Sequence, residues 1–156
     1  MNNKNKLIFR LATLDDKNAL LKYEQAVVEA ERPFNAVIKQ NQAHYYDIED
    51  LILNDNSCML VVESNGMIIA TGYCQIRESK KSLNHTHHGY LGFMYVSPEY
   101  RGQGINQKVI ENLISWAKNK DIHDFYLDVY SENTAAIKAY QKLNFTPSLL
   151  EMKLNL

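Results

Sequence analysis

The 156-residue chain predicts an α/β fold, a mixed central β-sheet flanked by helices. Three observations carry that expectation. Apolar residues switch repeatedly between helical and strand spacing, in the order β-α-α-β-β-β-α-β-α-β. Two runs rich in Val, Ile and Tyr, residues 59–63 and 67–78, are joined by Ser64-Asn65-Gly66. Asn-Gly accepts positive φ at both turn positions, so this is a hairpin. Finally, a strand over 89–96 runs through a glycine-containing turn straight into a helix.

Each element has its own signal. Residues 7–10 form a short strand. Thr13 caps a following helix whose first turn carries Asp15 and Asp16, where negative charge suits the dipole. Leu20, Tyr23, Val27 and Ala30 recur at helical spacing until Pro33 ends the run. Residues 45–53 predict a shorter second helix. A polar loop over 79–88 leads to the strand 89–96, which Ser97-Pro98-Glu99 stops. Ile105, Val109, Leu113 and Trp116 mark a long helix ending near Lys120. Residues 125–130 alternate as a strand, and a helix from Thr134 to Leu143 carries Ala136, Tyr140 and Leu143 on one side. Residues 149–156 close the chain as a last strand. With no repeat and no linker, residues 1–156 are expected to form one domain, long enough to need no disulfide or metal staple.

Composition narrows the function. Seventeen Lys+Arg against eighteen Asp+Glu, a net charge of −1, argues against a basic nucleic-acid footprint. Cys58 and Cys74 are too few for a disulfide framework and have no C-x-x-C spacing. The tract His85-Thr86-His87-His88 lacks a cysteine or acidic cluster at metal spacing and reads as a solvated loop, so no metal is expected. The polar opening stretch has no apolar core of a signal peptide, and the apolar runs 59–62 and 67–70 are far too short to span a bilayer. A soluble cytoplasmic protein with no membrane and no nucleic-acid partner is expected.

The chemistry concentrates in two segments. The first is Val96-Ser97-Pro98-Glu99-Tyr100-Arg101-Gly102-Gln103-Gly104-Ile105. A helix starting directly after such a turn offers unpaired amides and a positive dipole end to an anion. Gly102 and Gly104 lack a Cβ, so a diphosphate can approach the backbone. Gln107 stands where a dinucleotide fingerprint would have its third glycine, and no Walker Lys-Ser/Thr follows. The second is Asn133-Thr134-Ala135-Ala136-Ile137-Lys138-Ala139-Tyr140, leading to Leu143-Asn144-Phe145. Together the two resemble the GCN5-related N-acetyltransferase (GNAT) superfamily, whose cofactor motif is Gln/Arg-x-x-Gly-x-Gly/Ala and whose later motif is Asn-x-x-Ala-Ile-x-x-Tyr, then usually Gly-Phe. The closing Glu151-Met152-Lys153-Leu154 also looks like the family's last strand. Two positions depart from the pattern. Asn106 replaces Gly or Ala in the cradle, and Asn144 replaces the helix-ending Gly, a conservative change because Asn tolerates left-handed geometry.

The resemblance implies a GNAT fold in which acetyl-CoA, the acyl donor, lies in a splay between the fourth and fifth strands. By matching positions, Met94, Tyr95 and Val96 line the pantetheine arm. Arg101, Gly102, Gln103, Gly104, Ile105, Asn106 and Gln107 form the diphosphate cradle, and Asn133 bonds the cofactor arm. Tyr140 takes the family's general-acid position beside the cofactor sulfur. A thiol titrates near ~8.5 and tyrosine near ~10, so a hydrogen bond to the leaving sulfur is a safer role than full proton transfer. Tyr90 stands where some members carry a basic carboxylate. The base is left among Asp128, Glu78, His88 and a water chain. No cysteine sits in a nucleophile setting, which favours direct attack by the amine in a ternary complex.

Family members set acceptor choice in the segment after the first helix. Here that is residues 29–46, with Glu29, Glu31, Arg32, Phe34, His44, Tyr45 and Tyr46. Acids and aromatics together suit a cation. The short closing region implies an open cleft and leans weakly toward a peptide or protein amine over a small molecule. A monomer and a homodimer are both compatible with the sequence. The alternative to an N-acetyltransferase is a non-catalytic acyl-CoA-binding or sensor module of the same fold.

Overall fold

A computed structural model describes residues 6–156; the polar start discussed above lies almost wholly outside them. Five strands form one sheet in the order β1-β2-β3-β4-β5: β1 (Leu7–Leu11), β2 (Ser57–Ser64), β3 (Met67–Glu78), β4 (His87–Val96) and β5 (Phe125–Tyr126). The first four pair antiparallel and β5 joins β4 in parallel, which makes the sheet mixed. The hairpin turn has Asn65 at φ 50° and Gly66 at φ 77°, the double positive φ that its sequence requires.

Helices cover both faces. Strand alternation sends Leu60 and Val62 of β2 to one side, against α3 (Ile105–Lys118) with Val109, Ile110 and Leu113. Met59 and Val61 face the other way, toward α1 (Lys17–Glu31) and α2 (Ile48–Leu53), where Leu20, Ile48, Tyr73 and Phe93 fill a second core. Covered on both faces, β2 is a continuous buried run through Val62. Among the described residues no helix is long and apolar enough to cross a membrane.

Four expectations need correction. Thr13 caps a 3-10 turn over Leu14–Asp16, its amide donating to Asp16 Oδ2 at 2.8 Å, and α1 proper starts at Lys17. The buried stripe of α1 is Leu20, Glu24 and Val28 rather than Tyr23, Val27 and Ala30; Glu24 lies inside because its carboxylate is fully paired there. The second helix begins at Ile48, since Asp47 accepts from the Asp50 amide at 3.1 Å and so caps it. The largest change is at the end. Residues 149–156 form no strand, and Leu149, Leu150, Met152, Leu154 and Leu156 are all at least 70% exposed. The chain leaves α4 (Thr134–Lys142) through Asn144, at φ 68°, and extends off the body.

Candidate active site

Pairing between β4 and β5 covers only Gly89 with Phe125 and Tyr90 with Tyr126. Beyond that point β4 continues to Val96, while 127–130, expected as strand, leave the ladder. Among the described residues, the amides of Leu127, Asp128 and Val129 donate to no backbone carbonyl. The parting opens a wedge whose walls are strand backbone.

On the β4 wall the sheet carries a bulge. Tyr73 opposes Gly92, but Thr71 opposes Tyr95, so β4 holds one extra residue. Phe93, buried in the second core, takes φ 53°, a conformation that costs a non-glycine residue roughly 1–2 kcal/mol. Tyr73 supports the kink: a Cβ at Gly92 would sit 2.5 Å from its hydroxyl. The sequence holds a signal for this, Gly89 and Gly92 within one strand, because glycines inside strands mark bulges and close approaches. Met94, Tyr95 and Val96 follow, all half-buried; the Met94 side chain turns toward α3 and Tyr95 stacks on Tyr23 at 4.6 Å, which leaves their main chain along the wedge.

At the end of β4 the turn over Pro98–Tyr100 leads to Gly102 and Gly104, both at φ 75°. A Cβ at either glycine would meet nothing within 4 Å, so the surface there is open and the left-handed backbone alone demands glycine. Gly104 is the N-cap of α3 and has no side chain with which to cap it. By contrast Asn133 caps α4, accepting from the Ala136 amide at 3.3 Å. The first amides of α3 therefore face a cavity of about 150 Å³ lined by Val96, Tyr100, Arg101, Gly102, Gly104, Ile105, Asn106 and Gln107. Arg101 folds back on the Val96 carbonyl at 2.9 Å, and Gln107 bonds Glu111 at 2.8 Å. Gln103 reaches the Glu99 carbonyl at 3.4 Å. Asn106 Oδ1 is buried with no hydrogen-bond partner among the described residues. An uncapped helix N-terminus opening on such a space carries the free amides and the positive dipole end that favour an anion.

Tyr140 of α4 lies half-buried against the first core and packs edge-on against Phe145 at 6.0 Å. Burial, with the Glu31 carboxylate as a lesser cause, pushes its hydroxyl above the usual tyrosine range. Asp128 is brought to β4: the Tyr90 hydroxyl donates to its Oδ2 at 2.9 Å. Burial and that carboxylate raise the Tyr90 pKa, and the Arg77 guanidinium sits 3.9 Å over its ring. Glu78 ends β3 in solvent, away from this group. His88 shares the Ser79 hydroxyl with His85, at 2.8 and 2.7 Å, and His85 Nε2 meets the Tyr126 hydroxyl at 2.9 Å. The tract, expected as a solvated loop, is instead divided: His87 and His88 open β4, paired with Glu78 and Arg77, and His85 in the loop is tied to β5. Among the described residues no group of three or more His, Cys, Asp or Glu could hold a metal.

The segment after α1 is shaped from within by Glu24. Its fully buried carboxylate receives the Tyr45 and Tyr46 amides at 2.9 Å each and meets His44 Nδ1 at 2.8 Å. Pinned so, the segment lays Phe34 against Tyr130 at 6.1 Å, and Asn35 Nδ2 donates to the Tyr130 hydroxyl at 3.0 Å. Burial holds the Glu31 carboxyl above its ordinary value, opposed by a hydrogen bond from Tyr45. A larger open cavity, about 460 Å³, lies outside the same segment between Lys17, His44, Tyr46 and Glu49, and borders neither Tyr140 nor Asp128. Glu24 was signalled by a single charge in the i, i+4 row Leu20-Glu24-Val28; the proximity of Glu31 to Tyr140 depends on tertiary packing and had no local signal.

Comparison with known proteins places this geometry. The model of the acetyltransferase (GNAT) family matches residues 24–145. An uncharacterized N-acetyltransferase, YobR, of Bacillus subtilis is 40% identical over 60 residues, 38% of this chain and 24% of its own length. The L-methionine sulfoximine/L-methionine sulfone acetyltransferase of Salmonella typhimurium is 27% identical over 126 residues, 80% of this chain and 70% of its own. Among solved structures, a predicted acetyltransferase of Clostridium acetobutylicum with acetyl-CoA superposes with a TM-score of 0.76 at 22% identity, covering 96% of each chain. With the match running from within α1 past the end of α4, the chain belongs to the GNAT acetyltransferase family.

Proposed function

We propose that this acetyltransferase moves the acetyl group of acetyl-CoA to a primary amine by direct attack within a ternary complex, as one domain working in the cytoplasm. The observation that carries the reading is the uncapped start of α3, opening on a cavity beside the splayed strands. Its residues fit a CoA diphosphate. Gly102 and Gly104 hold the left-handed turn and leave the surface beside it open, and the first α3 amides and the helix dipole favour an anion. Gln103, Ile105 and Gln107 complete that cradle, with Arg101 at its rim.

When bound, the thioester supplies an acyl carbonyl with a good leaving group; the chain supplies position and protons. The open backbone of Met94, Tyr95 and Val96 pairs with the amides of the pantetheine arm, and Asn133 serves the same arm from the start of α4. Tyr140, kept protonated by its raised pKa, donates a hydrogen bond to the departing sulfur. The acceptor ammonium loses its proton to Asp128, which is exposed and held in place by Tyr90. Glu31, with Tyr45 and Phe34, borders the acceptor side and suits a cationic amine. A covalent cysteine intermediate is disfavoured: burial pushes the Cys58 and Cys74 thiols up to about 11 and about 12, so neither supplies a thiolate at neutral pH.

Titration calorimetry with acetyl-CoA tests the cradle. Wild type binds, and Gly104→Glu, which adds a negative charge at the helix start and strains a left-handed residue, binds about tenfold or more weakly, a difference of about 1.4 kcal/mol. Equal affinities would remove the cradle from the account.

A further inference from the structure

Strand alternation turns Tyr73, Gln75 and Arg77 of β3 to the sheet face that α1 and α2 cover, and Tyr90 of β4 stands opposite Gln75 on that face. Arg77 is exposed, yet its guanidinium is held from three sides. Its Nε donates to Gln75 Oε1 at 2.8 Å, and its central carbon lies 3.9 Å over the Tyr90 ring. It also faces the Tyr73 hydroxyl, where it opposes the rise in pKa that burial causes. Even so, this cation forms no ion pair with any carboxylate among the described residues.

Asp128 is held at the hydroxyl end of the same Tyr90 ring. Two opposite charges thus stand one phenol ring apart, each fixed by a tyrosine and neither neutralised by the other. The Tyr73 hydroxyl senses both, since Asp128 raises its pKa and Arg77 lowers it. The space they flank adjoins the bulge of β4, where Tyr73 lies against Gly92, the residue before left-handed Phe93. Tyr46, edge-on to Tyr73 at 5.8 Å, borders it from the segment after α1. Neither the anion cradle nor the proton transfers make use of Arg77.

We propose that Arg77 sets acceptor specificity by holding the carboxylate of a free amino acid whose α-amine lies at Asp128. The proposal rests on the acetyl-transfer reading for the fate of that amine. In an α-amino acid the ammonium and the carboxylate leave the same carbon, so one small molecule answers both charges. The guanidinium fork matches a carboxylate with two parallel hydrogen bonds, and its plane is already fixed by Gln75 and Tyr90. A peptide or protein amine carries a neutral carbonyl at that place and leaves the cation unused. An aminoalkyl phosphate brings about two negative charges to a single guanidinium. The unpaired charges outweigh the short closing region, which leaned toward a peptide or protein amine.

Steady-state kinetics with acetyl-CoA and the common L-amino acids, each beside its carboxamide, test this. The best amino acid is expected to exceed its carboxamide and phosphoethanolamine in kcat/KM by about 10- to 100-fold, mainly through KM. Arg77→Met erases that preference, and Arg77→Lys, which keeps the charge but not the fork, restores part of it. Acetyl-CoA calorimetry checks that both variants fold. A wild type that acetylates carboxamides, peptide amines or phosphoethanolamine as well as free amino acids overturns the proposal. So does a preference that survives in Arg77→Met. Calorimetry of the same amino acids on protein saturated with CoA needs no turnover. Binding there that favours the carboxylate about tenfold, with no CoA released from acetyl-CoA by any acceptor, keeps the amino-acid site and counts against acetyl transfer alone. Binding of no amino acid overturns the proposal, and turnover of other amines would then leave acetyl transfer standing.

Discussion

Glu24 and Tyr140 show how single residues divide the work of folding and chemistry. Glu24 is a charge at a core position, tolerable because two backbone amides and His44 surround its carboxylate. Glu24→Ala takes the acceptor from those part-buried amides and is expected to cost about 1–3 kcal/mol in urea unfolding; a cost within a few tenths would mean that the segment holds itself. Tyr140→Phe keeps the packing against Phe145 and deletes only the hydroxyl. It should lower kcat about 100-fold while leaving acetyl-CoA affinity intact, and an unchanged kcat would take the residue out of the mechanism. Asp128→Asn should slow transfer most near neutral pH and progressively less as alkaline solution deprotonates the acceptor by itself. A loss that is constant across pH would assign Asp128 to positioning Tyr90.

Among elements, the contrast between α3 and α4 is instructive. Both carry an apolar stripe, but α4 has an Asn cap and α3 begins on a left-handed glycine that leaves its amides free. That difference was legible in the sequence, since Gly at the helix start and Asn before Thr134 are both local signals. The kink of β4 was half legible: Gly92 hinted at it, but only the register against β3 shows that the extra residue puts Phe93 in the left-handed region. The final strand was legible as a pattern and misplaced as a structure. Period-two alternation reports that one side wants burial, and says nothing about where its cover lies. His88, at the start of β4 beside the loop residue His85, yields a pH prediction. Burial first, then the neighbouring His85, lowers the His88 pKa, so the folded state resists its protonation. Below the ordinary histidine value of about 6.5, the unfolded chain binds the extra proton, and stability should fall as pH drops through that window. Denaturant midpoints measured across it should decline, and His88→Gln should flatten the decline; an equal slope in both proteins would assign it to other groups.

For the whole molecule, two cores lie on either side of one mixed sheet whose β4 and β5 part after two residue pairs, and the proposed cradle and Tyr140 both belong to helices packed on the first of those cores. Element order as far as α4 and both motifs were readable because turn chemistry and helical spacing are local. The acceptor side was not, since Glu31, Tyr45 and Tyr130 meet across long sequence separations and their pairing is a product of tertiary packing. The central claim is turnover, and thiol release with acetyl-CoA and a panel of small-molecule, peptide and protein amines measures it most directly. The account predicts steady CoA release that depends on an acceptor and falls about 100-fold in Tyr140→Phe. Tight acetyl-CoA binding with no acceptor-dependent release across the panel would contradict it and identify the chain as a binding module.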